Sequence, residues 1–279
     1  MANPVLMRPA TVHLWTSGEI EEVLRSPKRG RELPPWAGRV YAECRTKLLD
    51  PRFPCYFGTN AFNRGTLRFE FAASPSCPGA LRQVSESLRE YLSIVRGRTD
   101  EEALLTVFIL FFKPEDEVLS LEAYHRQAWG ILQFLHDHDA APWPLDVPKD
   151  PDDSMWSFCY DSVPIFVNIN SPAHCARQSR NLTSGLTLVL QPREAFDIVA
   201  GRTPKGEQIR KVIRERLQNY DGVGPAPELG NYGTPGSLEW RQYGLTDDNG
   251  PSPSQCPMKM KKEASMPDAR ARLGQSLRP

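Results

Sequence analysis

Three apolar segments, Trp156–Tyr160, Pro164–Asn170 and Leu186–Gln191, constrain the fold more than any other part of the chain. Each has the length and the β-branched or aromatic content of a strand. Their short separations predict antiparallel pairing, because a parallel crossover takes about a dozen residues or more. Two further strands join them. Thr66–Phe71 alternates apolar and polar residues, the mark of a half-buried strand, and Thr106–Phe112 is an unbroken apolar run that belongs at the centre of a sheet. Helical spacing runs through Trp36–Leu49, Leu81–Val95, Leu119–His136 and Pro204–Tyr220, the last with Ile209, Val212, Ile213 and Leu217 inward. The proline-rich stretch 140–153 reads as an extended surface loop. The sum is an α+β fold, a single domain in which helices pack on a mainly antiparallel sheet. It spans residues 35–244. Residues 1–34 read as loosely ordered, with an amphipathic patch at Ile20–Leu24 that Ser26 and Pro27 end. Residues 245–279, rich in polar residues and proline without periodicity, read as a disordered tail.

Bulk charge excludes some functions. The 34 basic and 34 acidic residues cancel, and no basic arm alternates with aromatics, so nothing points to a nucleic-acid partner. The run Val107–Phe112 is too short to span a bilayer, and the first residues lack the cationic start and apolar core of a signal peptide. The expectation is a cytoplasmic protein with no membrane partner. The six cysteines are scattered without a CxxC pair, which disfavours a zinc ribbon or a thioredoxin-type site and predicts free thiols.

The stretch INSPAHCARQSRNL, residues 169–182, concentrates unusual chemistry between two strands. His174 and Cys175 are soft metal-ligand types, and Arg177 and Arg180 lie three apart, so a helical turn would face both guanidinia one way. Paired arginines suit a bidentate grip on carboxylates, although a solvated loop with ordinary surface arginines has the same composition. On the helix 119–136, His125, Trp129, Leu132 and His136 fall on one stripe, since each residue advances about 100°. His136 and His138 point to different sides, so a two-histidine zinc site is weak. Cys55, in FPCYFG, is either a core cysteine between Phe53 and Phe57 or a reactive thiol.

Five segments together resemble the YqcI/YcgG family: residues 51–71, 132–153, 166–182, 189–197 and 237–243. The resemblance covers roughly residues 36–243. It implies a heme b (iron) cofactor and N-hydroxylation of a guanidino group, with L-arginine converted to Nω-hydroxy-L-arginine in antibiotic biosynthesis of the D-cycloserine type. Dioxygen would be the co-substrate. Electrons would come from an external donor or a peroxide, because no GxGxxG fingerprint for flavin or nicotinamide is present. Given a heme, His174 would ligate the iron while Arg177 and Arg180 pair with the propionates. His136 is the competing ligand, and Cys55 a third, whose thiolate would suit the chemistry. A substrate guanidinium calls for a carboxylate. Glu239, beside Trp240 as a covering ring, is the first choice, with Glu70 and Asp161 as alternatives. Two other readings stay open: a non-catalytic heme carrier or sensor, and a metal- or thiol-dependent hydrolase built on His136, His174 and Cys55.

Overall fold

The computed structural model describes residues 14–26, 32–96, 98, 100–201 and 203–261. One five-stranded sheet runs in the order β1-β2-β5-β4-β3. Its strands are β1 (Leu67–Ala72), β2 (Val107–Phe112), β3 (Phe158–Tyr160), β4 (Val163–Asn170) and β5 (Thr187–Pro192). The pairs β5–β4 and β4–β3 are antiparallel, as the short separations predict, and the distant pair β2–β5 is antiparallel as well. The β1–β2 pair is parallel, and its crossover carries α4 (Pro78–Val95).

The unbroken apolar run of β2 follows from its position, because both its faces are covered. Phe108, Leu110 and Phe112 join a core with α4 and α6 (Leu121–His138) through Leu88, Tyr91, Ile131 and Leu135. Val107, Ile109 and Phe111 point the other way, into a second core with α2 (Ala37–Leu49) and α3 (Tyr56–Arg64). Burying a side chain of this kind stabilises by roughly 1.5–3 kcal/mol.

Helix ends carry the expected chemistry. Thr16 and Glu19 form a reciprocal capping box on α1 (Ser17–Arg25), so part of the segment read as loosely ordered is a helix with Ile20 fully buried. Ser120 caps α6, Thr203 caps α8 (Pro204–Tyr220), and Gly65, at φ 69°, closes α3 in the left-handed region that favours glycine. Three helices had no sequence signal: α3, α7 (Arg193–Ala200) and α9 (Glu239–Tyr243). A fourth, α5 (Glu101–Leu104), is a single turn. Val212 of α8, expected inward, is exposed, because α8 packs on α7 and a 3-10 turn rather than on the sheet.

The tail requires a correction. Residues 245–261 are packed, with Leu245 and Met258 buried. Gln133 accepts from the Lys259 amide, and His136 Nε2 accepts from the Lys261 amide at 3.1 Å. Residues 262–279 lie outside the described residues. At the sheet's edges, Trp15 and Phe69 of β1 exchange both backbone hydrogen bonds at 2.8 Å, and β3 is only 3 residues long.

Candidate active site

Helices α2 and α3 cover β1 and β2 on one face of the sheet, while the same face of β4 and β5 borders a cavity of about 570 Å³. That volume falls in the range of roughly 300–1,000 Å³ that buries a small ligand or cofactor. Its floor is Phe166 and Asn168 of β4 with their cross-strand partners Gln191 and Val189 of β5. Phe57 and Phe196, with ring centroids 4.3 Å apart, wall one side. Ile213 and Leu217 of α8 cover it.

Cys55 stands on the wall of this cavity. It is the N-cap of α3, and its Sγ accepts the Gly58 amide at 3.2 Å. Burial pushes the thiol up from its ordinary value, while the Gly58 amide and Arg180 pull it down. Burial wins, so the thiol lies above its ordinary value, and only a bound metal cation would draw out the thiolate. Gly58 matters for space: a Cβ there would sit 3.0 Å from Cys55 Sγ and 3.3 Å from Leu48 Cδ2.

Arg177 and Arg180 line the same cavity, so the opening loop does bring both to one place. The turn between them is a 3-10 helix, Gln178–Arg180. Arg180 spends its fork on backbone, donating to Tyr243 O at 2.8 Å and Gln242 O at 2.9 Å at the end of α9. Burial, and then the charge of Arg177, push it down to about 9. Arg177 is 1% exposed. Its Nε donates to Thr246 O and its Nη2 to Asn249, but Nη1 makes no hydrogen bond. The nearest carboxylate, Asp221, is 4.0 Å away and is engaged by the Ser179 amide and hydroxyl. Asp221, Asp247, Glu228 and Asp248 all act on the Arg177 charge, but Nη1 has no hydrogen-bond acceptor, which leaves this corner of the wall suited to one.

The loop is held by the tail. Asp247 accepts the amides of Cys175, Ala176 and Arg177 at 3.1, 3.0 and 2.7 Å. Burial pushes its carboxyl up, but the three amides outweigh that and hold it below the usual range. Composition gave no hint of Asp247, since it lies in the segment read as disordered.

The other expected site residues fall elsewhere. His174 is fully buried, with Nδ1 3.1 Å from Ser171 Oγ and Nε2 3.0 Å from Leu245 O, so both ring nitrogens are committed and it does not line the cavity. Burial pushes it down. His125 packs beside it, with ring centroids 6.0 Å apart. His136 lines a separate pocket of about 260 Å³ with Trp143 and Cys159. Glu239 is buried beneath the cavity: Oε1 accepts from Ser157 at 2.6 Å and Tyr243 at 2.8 Å, and Oε2 is 3.0 Å from Arg193 Nη1. Trp240 is buried and also away from the lining. Glu70 accepts from Gln83 and Ser87, each at 2.7 Å, and Asp161 pairs with Arg96. Neither reaches the cavity. Cys175 is exposed.

Two lining residues escaped the sequence reading. Arg193 stacks over Tyr232, 4.2 Å from the ring centroid, and bridges Glu239 and Asp197. Asp197 is the one carboxylate among the described lining residues. Both belong to the segment 189–197 that carries part of the family resemblance, which was the available signal.

A heme fits this donor set. The cavity has aromatic walls at Phe57, Phe166 and Phe196, a sulfur at Cys55 and, at Arg177 Nη1, a buried guanidinium nitrogen without a hydrogen bond.

Comparison with known proteins agrees with the resemblance. The model of the YqcI/YcgG family matches residues 44–259. A Streptomyces lavendulae protein named "Putative N(omega)-hydroxy-L-arginine synthase DcsA" is 38% identical over 255 residues, covering 90% of this chain and 95% of that one. Two Bacillus subtilis proteins, "Uncharacterized protein YqcI" and "Uncharacterized protein YcgG", are each 36% identical, over 253 and 230 residues. The former alignment covers 89% of this chain and 95% of YqcI, the latter 81% and 89% of YcgG. No solved structure matches the chain.

Proposed function

Because the chain belongs to the YqcI/YcgG family, we propose that it is a heme-dependent monooxygenase that N-hydroxylates the guanidino group of L-arginine. The 38% identity to a relative named for Nω-hydroxy-L-arginine synthesis supports the substrate. The observation that carries the cofactor is the pairing, in one cavity, of the Cys55 sulfur with the buried Arg177–Arg180 wall.

When bound, the heme supplies the oxygen-activating chemistry, with dioxygen and external electrons as co-reactants. Cys55 would hold the iron in preference to His174, whose nitrogens are both engaged, and to His136, which faces another pocket. Arg177 would hold an anionic group of the cofactor through its open Nη1. Arg180 contributes charge and ties the loop to the end of α9. Asp197 replaces Glu239 as partner of the substrate guanidinium, because it borders the cavity and Glu239 does not. Phe57, Phe166 and Phe196 exclude water from the reacting group.

The test is spectroscopic. Purified protein supplied with heme should show a Soret band at about one heme per chain by this reading, and the reduced carbonyl complex should have the red-shifted band of thiolate ligation. Cys55→Ser should remove that shift, Arg177→Ala should weaken heme retention, and Asp197→Asn should abolish the spectral response to L-arginine. Absence of a Soret band would refute the proposal. A red-shifted band unchanged in Cys55→Ser but lost in His174→Ala would move the ligand to the histidine.

A further inference from the structure

A line of electron-rich rings leads from the cavity wall to the surface. Phe166, on the cavity floor, meets Tyr243 edge-on at 5.6 Å between centroids. Tyr243 packs 6.3 Å from Trp156, and Trp156 6.4 Å from Trp143. Tyr243 and Trp156 are fully buried, whereas Trp143 is half-buried and borders the smaller pocket. Tyrosine and tryptophan are the side chains that most readily lose and regain a single electron without breaking a bond, and contact between rings lets that electron pass.

Protons are arranged to match. Oxidised phenol is a strong acid, so a buried tyrosine gives up an electron only if its proton has somewhere to go. Tyr243 donates to Glu239 Oε1 at 2.8 Å. Burial pushes the Glu239 carboxyl up, which makes it a better acceptor than an ordinary carboxylate. Trp156 is the opposite case: its Nε1 has no hydrogen-bond partner, so it can pass an electron but has no acceptor for its proton. A hole there moves on. Trp129, stacked on Tyr243 at 5.9 Å, is a side branch, and among the described residues no ring contact leads from it to the surface.

We propose that Tyr243, Trp156 and Trp143 form a route by which oxidising equivalents leave the cavity for the surface, with Glu239 taking the Tyr243 proton. An oxidant in the cavity gains one electron from Tyr243, whose proton moves to Glu239. Trp156 then reduces the tyrosyl, which recovers its proton from Glu239. Trp143 reduces Trp156, and a soluble thiol or ascorbate at the surface reduces Trp143. The net change is reduction of the oxidant by one electron from the surface reductant. The inference rests on the proposed function only for the oxidant, an oxidised heme that has reacted without substrate.

Pulse radiolysis tests the route without that premise. Azide radicals generated in a solution of the purified full-length protein oxidise accessible indoles. The assay runs the same ring contacts in reverse, from a hole placed on Trp143 inward: tryptophanyl absorption should fall and tyrosyl absorption rise in one phase whose rate does not depend on protein concentration. Tyr243→Phe and Trp143→Phe should each lose that phase, and Glu239→Gln should slow it severalfold. The Trp143 site is half-buried and not part of the inner core, which guards against a merely unfolded variant. Persistence of the phase at its original rate in Tyr243→Phe or Trp143→Phe would overturn the route, and an unchanged rate in Glu239→Gln would overturn the proton acceptor. The phase in a protein that fails to bind heme would refute the oxidant while leaving the route intact.

Discussion

Replacing Asp247 with alanine tests whether the tail holds the arginine loop. The carboxylate accepts three consecutive amides, those of Cys175, Ala176 and Arg177. A hydrogen bond to a charged group contributes roughly 1.5–3 kcal/mol net. Cys175 is exposed, so its amide can turn to water, and two bonds remain at stake. Asp247 is itself half-buried, which favours the lower end of the range, and two bonds at about 1.5 kcal/mol each give an expected loss of about 3 kcal/mol. For a chain of this size that lowers Tm by roughly 6–12 °C. Calorimetry on the wild type and Asp247→Ala measures it. The pH dependence gives a second check. Asp247 titrates below its unfolded value of about 3.9, so its contribution is present above that pH and is lost as pH falls through the folded value. The difference between the two proteins should therefore be constant near neutrality and vanish in acid. A variant melting within about 1 °C of wild type at pH 7 would refute the reasoning, since it would place Asp247 among ordinary surface residues.

Gly58→Ala should crowd Cys55 Sγ and Leu48 and cost about 1–3 kcal/mol, measured by urea denaturation; an unchanged midpoint would mean that α3 shifts freely. Arg193→Ala should strip the buried Glu239 of its cation and cost about 3–5 kcal/mol, and adding Glu239→Gln should restore much of that. Additive losses in the double variant would show that the pair is not coupled.

The central strand was legible because burial on both faces leaves no room for polar residues, as β2 shows with Val107–Phe112. Helix α3 was not, since it is short and is capped by Cys55, a residue with no standing as an N-cap signal. The convergence of Arg177 and Arg180 could be read from their spacing, but not their partners. Those lie at Gln242, Tyr243, Thr246 and Asn249, some 60–70 positions onward, where only the fold brings them near. Glu239 illustrates the reverse case. An acid beside a tryptophan looks like a cation site, yet its neighbours Ser157, Tyr243 and Arg193 were invisible from its own segment.

The bridge between Trp15 and Phe69 has a consequence for how copies of this chain behave toward one another. A sheet is most open to adding a foreign strand along its outer margins. One margin here ends in β3, too short to template an addition, with Asp161 and Ser162 turning away at positive φ. The other, β1, is long and carries Phe69 and Phe71, but Trp15 already occupies the backbone groups of Phe69 that face outward. The strand's neighbour on that side is thus supplied by its own chain. Removing residues through Trp15 would uncover an apolar margin of β1 and invite the protein to polymerise, even though every group in the cavity would be untouched.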